Sequence, residues 1–207
     1  MNTIPPVDLW MFEKQATKAG FSMVAGLDEA GRGPLAGPVV SAAVILPSSF
    51  AVSGIRDSKK ISAKKRERLF DDIHGHAVAV GVGIVSAQEI DRINILQAAL
   101  LSMAIAVDDL SAAPDYLLID GIFTIAADYP QKAIPKGDSL SISIAAASIV
   151  AKVTRDRIMA RYARSYPEFD FQKHKGYPTK AHKEAICRYG ISPIHRRSFK
   201  GVKEYCS

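Results

Sequence analysis

Apolar and polar positions along this chain fall into segments of helical and strand-like rhythm. Helical spacing covers 7–19, with Asp8 placed to cap the start and Gly20 to close the end. The run 21–27 alternates loosely and is apolar at most positions; it predicts a strand that ends in Asp28. The turn-rich stretch GRGPLAGP occupies 31–38, and 39–46 predicts a second, buried strand. A charged helix is predicted over 63–74, behind Ser62, and a third strand over 77–85, which mixes β-branched residues with glycine. Ser86 and Glu89 have the spacing of a capping box. Asn94 is placed to cap a longer helix, apolar on most sides, that runs to about Leu110. Residues 116–120 form a short apolar run ending in a carboxylate, and 132–135 is a further strand candidate. A long helix over 143–164 turns basic toward its end, and a short one over 179–189 is closed by Gly190.

Three strands, then helices, then strands alternating with helices predict an α/β domain built on a mixed sheet. The boundary is expected near 165. Residues 1–165 form the main domain, and the basic remainder, 166–207, is a helical extension packed on it.

Composition narrows the class. A chain of 207 residues with 48% hydrophobic and 23% charged residues has enough apolar material for one sizeable core. The net charge of +6 favours polyanionic partners, and it is concentrated: 56–68 carries seven Lys or Arg, and 173–203 carries nine. Cys187 and Cys206 form neither a disulfide framework nor a zinc pattern. The start lacks the basic-then-apolar plan of a signal peptide, and Pro34, Pro38 and Pro47 interrupt the longest uncharged run. A soluble, cytoplasmic, monomeric protein is the expectation.

Candidate chemistry lies in four carboxylates. Asp28 and Asp120 each end an apolar strand, Glu29 follows Asp28, and Asp138 sits in a Lys-Gly-Asp-Ser turn before the long helix. Ligands of open α/β sheets collect at the carboxyl ends of strands. If the strands of Asp28 and Asp120 are neighbours, their carboxylates meet there. Such a group, without His or Cys, suits hard cations such as magnesium or manganese. Neighbouring strand residues face opposite sides, so Glu29 joins Asp28 only if the strand ends or bends at that point. Each Asp alone is equally readable as a turn former or helix cap.

The turn of Gly31, Arg32, Gly33 and Pro34 has two readings. Its glycines let a ligand approach the backbone, with Arg32 beside a phosphate; or it simply joins two strands. Lys59 and Lys60, beside Ser58, suit a phosphate contact or a solvated loop. Tyr177 stands among Lys173, His174 and Lys175 before a helix start, a place for stacking on a sugar or base, or for ordinary packing. Arg196 and Arg197 read as a phosphate clamp or as surface.

Six motifs in order, GLDEAGRGPLAGPVV at 26–40, DSKK at 57–60, LLIDG at 117–121, KGD with SISIAAASIVAKVTRDR at 136–157, HKGYPTKAH at 174–182 and HRRSF at 195–199, resemble the ribonuclease HII family over about 170 residues. The resemblance implies a ribonuclease H-like fold, a five-stranded mixed sheet flanked by helices with a helical C-terminal extension. It implies catalytic, metal-binding roles for Asp28, Glu29, Asp120 and Asp138, served by Mg2+ or Mn2+, two ions during catalysis. It also implies recognition of a ribose 2′-hydroxyl by the backbone of Gly31, Arg32 and Gly33, stacking by Tyr177 at an RNA–DNA junction, and a nucleic-acid partner: an RNA/DNA hybrid or a DNA duplex containing ribonucleotides. Asp156 matches no ligand of that set and reads as an ion-pair residue. The competing readings are a type 3 ribonuclease H, which carries an additional N-terminal substrate-binding domain; a DNA nuclease or strand-transfer enzyme; and a non-catalytic RNA/DNA-binding module.

Overall fold

The computed structural model describes residues 8–51, 54–55 and 62–206. Five strands form one mixed sheet: β1 (Val24–Ala30), β2 (Val39–Ile45), β3 (Ala79–Val85), β4 (Tyr116–Asp120) and β5 (Gln131–Ile134), in the order β3-β2-β1-β4-β5. β2 pairs antiparallel with β1 and β3, whereas β4 lies parallel to β1 and β5 parallel to β4. β1 and β4 are therefore neighbours whose carboxyl ends point the same way.

The helices are α1 (Met11–Lys18), α2 (Ala63–His76), α3 (Ala87–Ile93), α4 (Ile95–Asp108), α5 (Ile142–Ser165), α6 (Phe171–His174) and α7 (Lys180–Tyr189). Alternation in β2 explains both faces of the sheet. Ala42 and Val44 pack with Ala145, Ala146 and Ile149 of α5 and with Leu69 and Ile73 of α2. Ala43 and Ile45, with Ala25 and Leu27 of β1, pack against Met103, Ala106 and Val107 of α4. A strand covered on both sides reads as one continuous apolar run, which is how β2 appears in the sequence. Each fully buried Leu or Ile here, such as Leu27 or Ile149, contributes about 1.5–3 kcal/mol over its exposed state.

α5 spans 24 residues, roughly 36 Å, and links the sheet to the C-terminal segment. Its first turn lies directly on β1: a Cβ on Gly26 would overlap the Ser143 carbonyl carbon and the Ile144 nitrogen. The same turn is anchored to α1, because Ser141 and Ser143 donate their hydroxyls to Glu13 Oε1 at 2.5 Å. Beyond α5, residues Phe169, Phe171, Ile186, Ile194 and Val202 form a second core with Leu35, Ala36 and Met159. The C-terminal segment thus packs on the 31–38 turn as well as on the end of α5.

Candidate active site

β1 does not stop at Asp28. It runs to Ala30, with Asp28 opposite Ala42 and Glu29 opposite Ser41 of β2. Its parallel pairing with β4 ends at Leu27 opposite Ile119, so β1 and β4 part at the level of Asp28 and Asp120. The two strands thus diverge just before these acids, while β1 stays paired with β2.

Asp28 is buried, only 3% exposed. Its Oδ1 accepts the Glu29 amide at 2.7 Å. Burial raises the Asp28 pKa well above the usual carboxylate range, and the charges of Glu29 and Asp120 push it the same way, whereas Ser148 of α5 lowers it somewhat. Burial likewise raises Glu29, against the pull of Arg32, whose Nη1 lies 3.2 Å from Glu29 Oε1. Asp120 repels both acids and so belongs to the same electrostatic group. Asp138 is buried in a short 3-10 turn, Gly137–Ser139, whose Gly137 amide donates to Asp120 Oδ1 at 2.6 Å. Among the described residues, no three His, Cys, Asp or Glu side chains are already spaced to hold one ion. Asp28, Glu29 and Asp120 act on one another electrostatically, and Asp138 is joined to Asp120 through the Gly137 amide, without the acids being gathered on one point.

A groove of about 380 Å³ is lined by one of these acids, Glu29. Glu29, Gly31, Arg32 and Gly33 form one side; Ser148 and Lys152 of α5, Arg66 of α2 and Tyr177 complete it. Gly31 has φ +102°, a conformation that glycine adopts at little cost, and an added Cβ there would strike Arg155. A Cβ added to Gly33 would come within 3.7 Å of Tyr177 Cε1, so a side chain there would fill the gap between turn and ring. Tyr177 is 43% exposed, with its ring open to the groove. Lys59 and Lys60 lie outside the described residues.

Arg196 departs from its sequence reading. It is fully buried rather than on the surface, and it contacts backbone rather than phosphate. Its guanidinium donates to the carbonyls of Gly31 (2.6 Å), Arg32 (3.0 Å) and Gly37 (2.9 Å). Arg155, also buried, donates to Pro38, Ala36 and Lys175. Burial lowers Arg155 to about 10 and Arg196 to about 9, the latter helped by the charge of Arg155; both remain cations at neutral pH. A turn without regular pairing leaves carbonyls to satisfy, and two arginines satisfy them. Asp156 pairs with Lys152 at 2.6 Å, an ion pair as the sequence suggests.

Arg66, Ser148, Lys152 and Arg155 were not singled out from the sequence as site residues. A signal existed for three of them: 148, 152 and 155 recur at helical spacing, a polar stripe on an otherwise buried helix. Arg66 is one cation in a charged run, and nothing in the sequence separates it from its neighbours.

Comparison with known proteins gives a consistent result. The family model described as Ribonuclease HII matches residues 25–202. A curated protein named Ribonuclease HII, from Geobacter metallireducens, is 60% identical over 197 residues, covering 95% of this chain and 92% of the relative. Among solved structures, the ribonuclease H2 of Pyrococcus horikoshii superposes with a TM-score of 0.75 at 28% identity, covering 89% of this chain and 97% of that one. Bst-RNase HIII, solved in complex with Mn2+, shares the fold at TM-score 0.69 and 20% identity, covering 92% and 71%.

Proposed function

This chain belongs to the ribonuclease HII family, and from that premise we propose that it is an endonuclease cutting on the 5′ side of ribonucleotides in duplex DNA and along RNA/DNA hybrids. The observation that carries the reading is the buried Asp28 carboxylate, facing the charges of Glu29 and Asp120 at the parting of β1 and β4, beside the groove between the 31–33 turn and Tyr177. Carboxylates that repel one another inside a protein call for a cation, and an all-oxygen donor set favours Mg2+ or Mn2+. In this reading Asp28, Glu29, Asp120 and Asp138 hold two divalent ions during catalysis. When bound there, such ions would supply charge neutralisation for an attacking water and for the departing 3′-oxygen, in a hydrolysis that leaves 3′-hydroxyl and 5′-phosphate ends.

The remaining roles fall to the groove. Backbone groups of Gly31, Arg32 and Gly33 read the 2′-hydroxyl, the group that marks a ribonucleotide within DNA. Tyr177 stacks on the sugar at the RNA–DNA junction. Arg66 and Lys152 meet phosphates there, which fixes position rather than sequence; the family resemblance gives Lys59 and Lys60, outside the described residues, the same role.

The test is incubation of a DNA duplex carrying one ribonucleotide, with and without Mg2+, beside an all-DNA duplex of the same sequence. The expected result is metal-dependent cleavage 5′ to the ribonucleotide and none of the all-DNA strand. Equal cleavage of both duplexes would overturn the reading.

A further inference from the structure

Two elements of the groove, the 31–33 turn and Tyr177, come from segments more than a hundred residues apart, yet line the same opening. Arg155 of α5 spans the two segments, donating to Ala36, Pro38 and Lys175, and a short stretch of the C-terminal segment ties them further. Ile194, His195 and Arg196 lie against 35–37: Gly37 donates its amide to Ile194, Arg196 donates its amide to Leu35, and Ala36 bridges His195. From this stretch two adjacent side chains reach in different directions.

Arg196 reaches the turn. Its three donor nitrogens serve three carbonyls, at Gly31, Arg32 and Gly37, so the planar fork defines where those carbonyls stand relative to one another. His195 reaches Tyr177 through a second histidine. Both imidazoles are buried, and backbone groups of fixed polarity at the ends of the chain determine where the protons are. The Ser192 amide can only donate, so His195 Nδ1 accepts it, at 2.9 Å. Neutral His195 then carries its proton on Nε2, which faces His182 Nε2 at 3.0 Å. His182 Nε2 accepts, leaving Nδ1–H to donate to the Tyr177 carbonyl at 2.9 Å. Only one arrangement of protons makes every bond in the chain Ser192, His195, His182, Tyr177. The Leu35 amide closes the frame by donating to the Gly176 carbonyl at 2.8 Å.

We propose that His195 and Arg196 are positioning residues that hold the 31–33 turn and Tyr177 at one separation, and so set the preference for a single embedded ribonucleotide. The inference rests on the proposed reading of those two elements. A lone ribonucleotide offers one register in which its 2′-hydroxyl meets the turn while the next sugar meets the ring. A continuous hybrid offers a 2′-hydroxyl at every step, so a displaced turn or ring still finds one.

The experiment compares wild type with His195→Asn, His195→Gln and Arg196→Lys on both substrates, recording kcat, KM and Tm. Glutamine keeps an N–H donor near the position of Nε2; asparagine is too short to reach His182. Lysine keeps the charge of Arg196 but replaces the fork with one point. Misplacement by an ångström typically costs up to about a hundredfold, so His195→Asn and Arg196→Lys should lose roughly ten- to hundredfold in kcat/KM on the single ribonucleotide, mainly in kcat, and several-fold less on the hybrid. His195→Gln should stay near wild type on both. Equal losses on the two substrates, or a His195→Gln protein as impaired as His195→Asn, would overturn the proposal. Should Arg196→Lys not fold, the two His195 variants decide it. Wild type and Tyr177→Ala separate this failure from that of the underlying reading. If wild type ignores the ribonucleotide, or Tyr177→Ala leaves the substrate ratio unchanged, the functional reading itself fails. If both behave as expected and His195→Asn leaves the ratio unchanged, only the present inference fails.

Discussion

The amide of Gly137 donates a 2.6 Å hydrogen bond to Oδ1 of Asp120, tying the turn that carries Asp138 to the carboxylate at the end of β4. Asparagine at 120 keeps an oxygen able to accept that bond while removing the charge. Asp120→Asn should therefore retain the wild-type Tm and lose nearly all turnover on a ribonucleotide-containing duplex in Mg2+. Near-normal turnover would remove Asp120 from the proposed metal set.

Tyr177 separates side chain from scaffold in the same way. Its carbonyl is held by His182 and by the Thr179 amide, whereas its ring faces the groove. Tyr177→Ala should leave Tm close to wild type and lower kcat/KM on a single embedded ribonucleotide by roughly ten- to hundredfold, the scale of a lost stacking contact. Tyr177→Phe should keep most of the activity. A large fall in Tm with equal losses on both substrates would make the ring a packing residue.

Gly26 sits where α5 crosses β1, and any side chain there meets backbone rather than a yielding rotamer. Gly26→Ala should destabilise the protein by at least about 1–3 kcal/mol, the usual cost of overpacking, visible as a lower urea midpoint. The shift also moves the first turns of α5, so activity should fall with it. An unchanged midpoint would show that α5 can lift from the sheet at no cost.

His182 and His195 are depressed by burial to about 4, each lowered further by a neighbouring histidine. In the unfolded chain they titrate near 6.5, so between these values the unfolded state binds more protons. Their contribution to stability is complete above about pH 6.5, declines as pH falls toward 4, and levels off below that. The slope approaches about 1.4 kcal/mol per pH unit for each proton taken up. The raised Asp28 acts in the opposite sense, gaining stability for the fold as pH falls through its folded value. Urea melts of wild type and His195→Gln at pH 7, 6 and 5 isolate the histidine part: the variant should show the shallower decline. Parallel curves would mean that His195 does not titrate in this window.

Arg66 of α2 lines the groove, as does the turn's own Arg32, which is engaged with Glu29. If it meets a phosphate, Arg66→Ala should flatten the plot of log affinity against log salt by about 0.9 and weaken all duplexes alike. A change confined to ribonucleotide-containing substrates would place Arg66 in recognition instead.

Much of this architecture is legible in the sequence because it follows from short-range patterns. The long helix expected over 143–164 is Ile142–Ser165, and the strand candidate at 132–135 is Gln131–Ile134. Ser62, Ser86 and Asn94 cap the helices they precede. What the pattern could not supply was the parting of β1 from β4, since pairing register is a property of two strands and not of either alone. Arg196 was illegible for a different reason. Guanidinium groups are rarely buried, and the three carbonyls that permit it lie about 160 residues away in sequence. His195 and His182 are 13 residues apart, and only the folded C-terminal segment turns them toward each other.

The contact of Arg196 with Gly31 also carries a consequence for synthesis. The two residues are separated by 165 positions, so a growing chain exposes the 31–33 turn long before the residue that clamps it exists. At roughly 5–20 residues per second, the interval lasts on the order of ten to thirty seconds. During that time the acidic strands are present but the frame around them is not. A ribosome-bound fragment that stops short of residue 196 therefore lacks the guanidinium that holds the Gly31, Arg32 and Gly37 carbonyls.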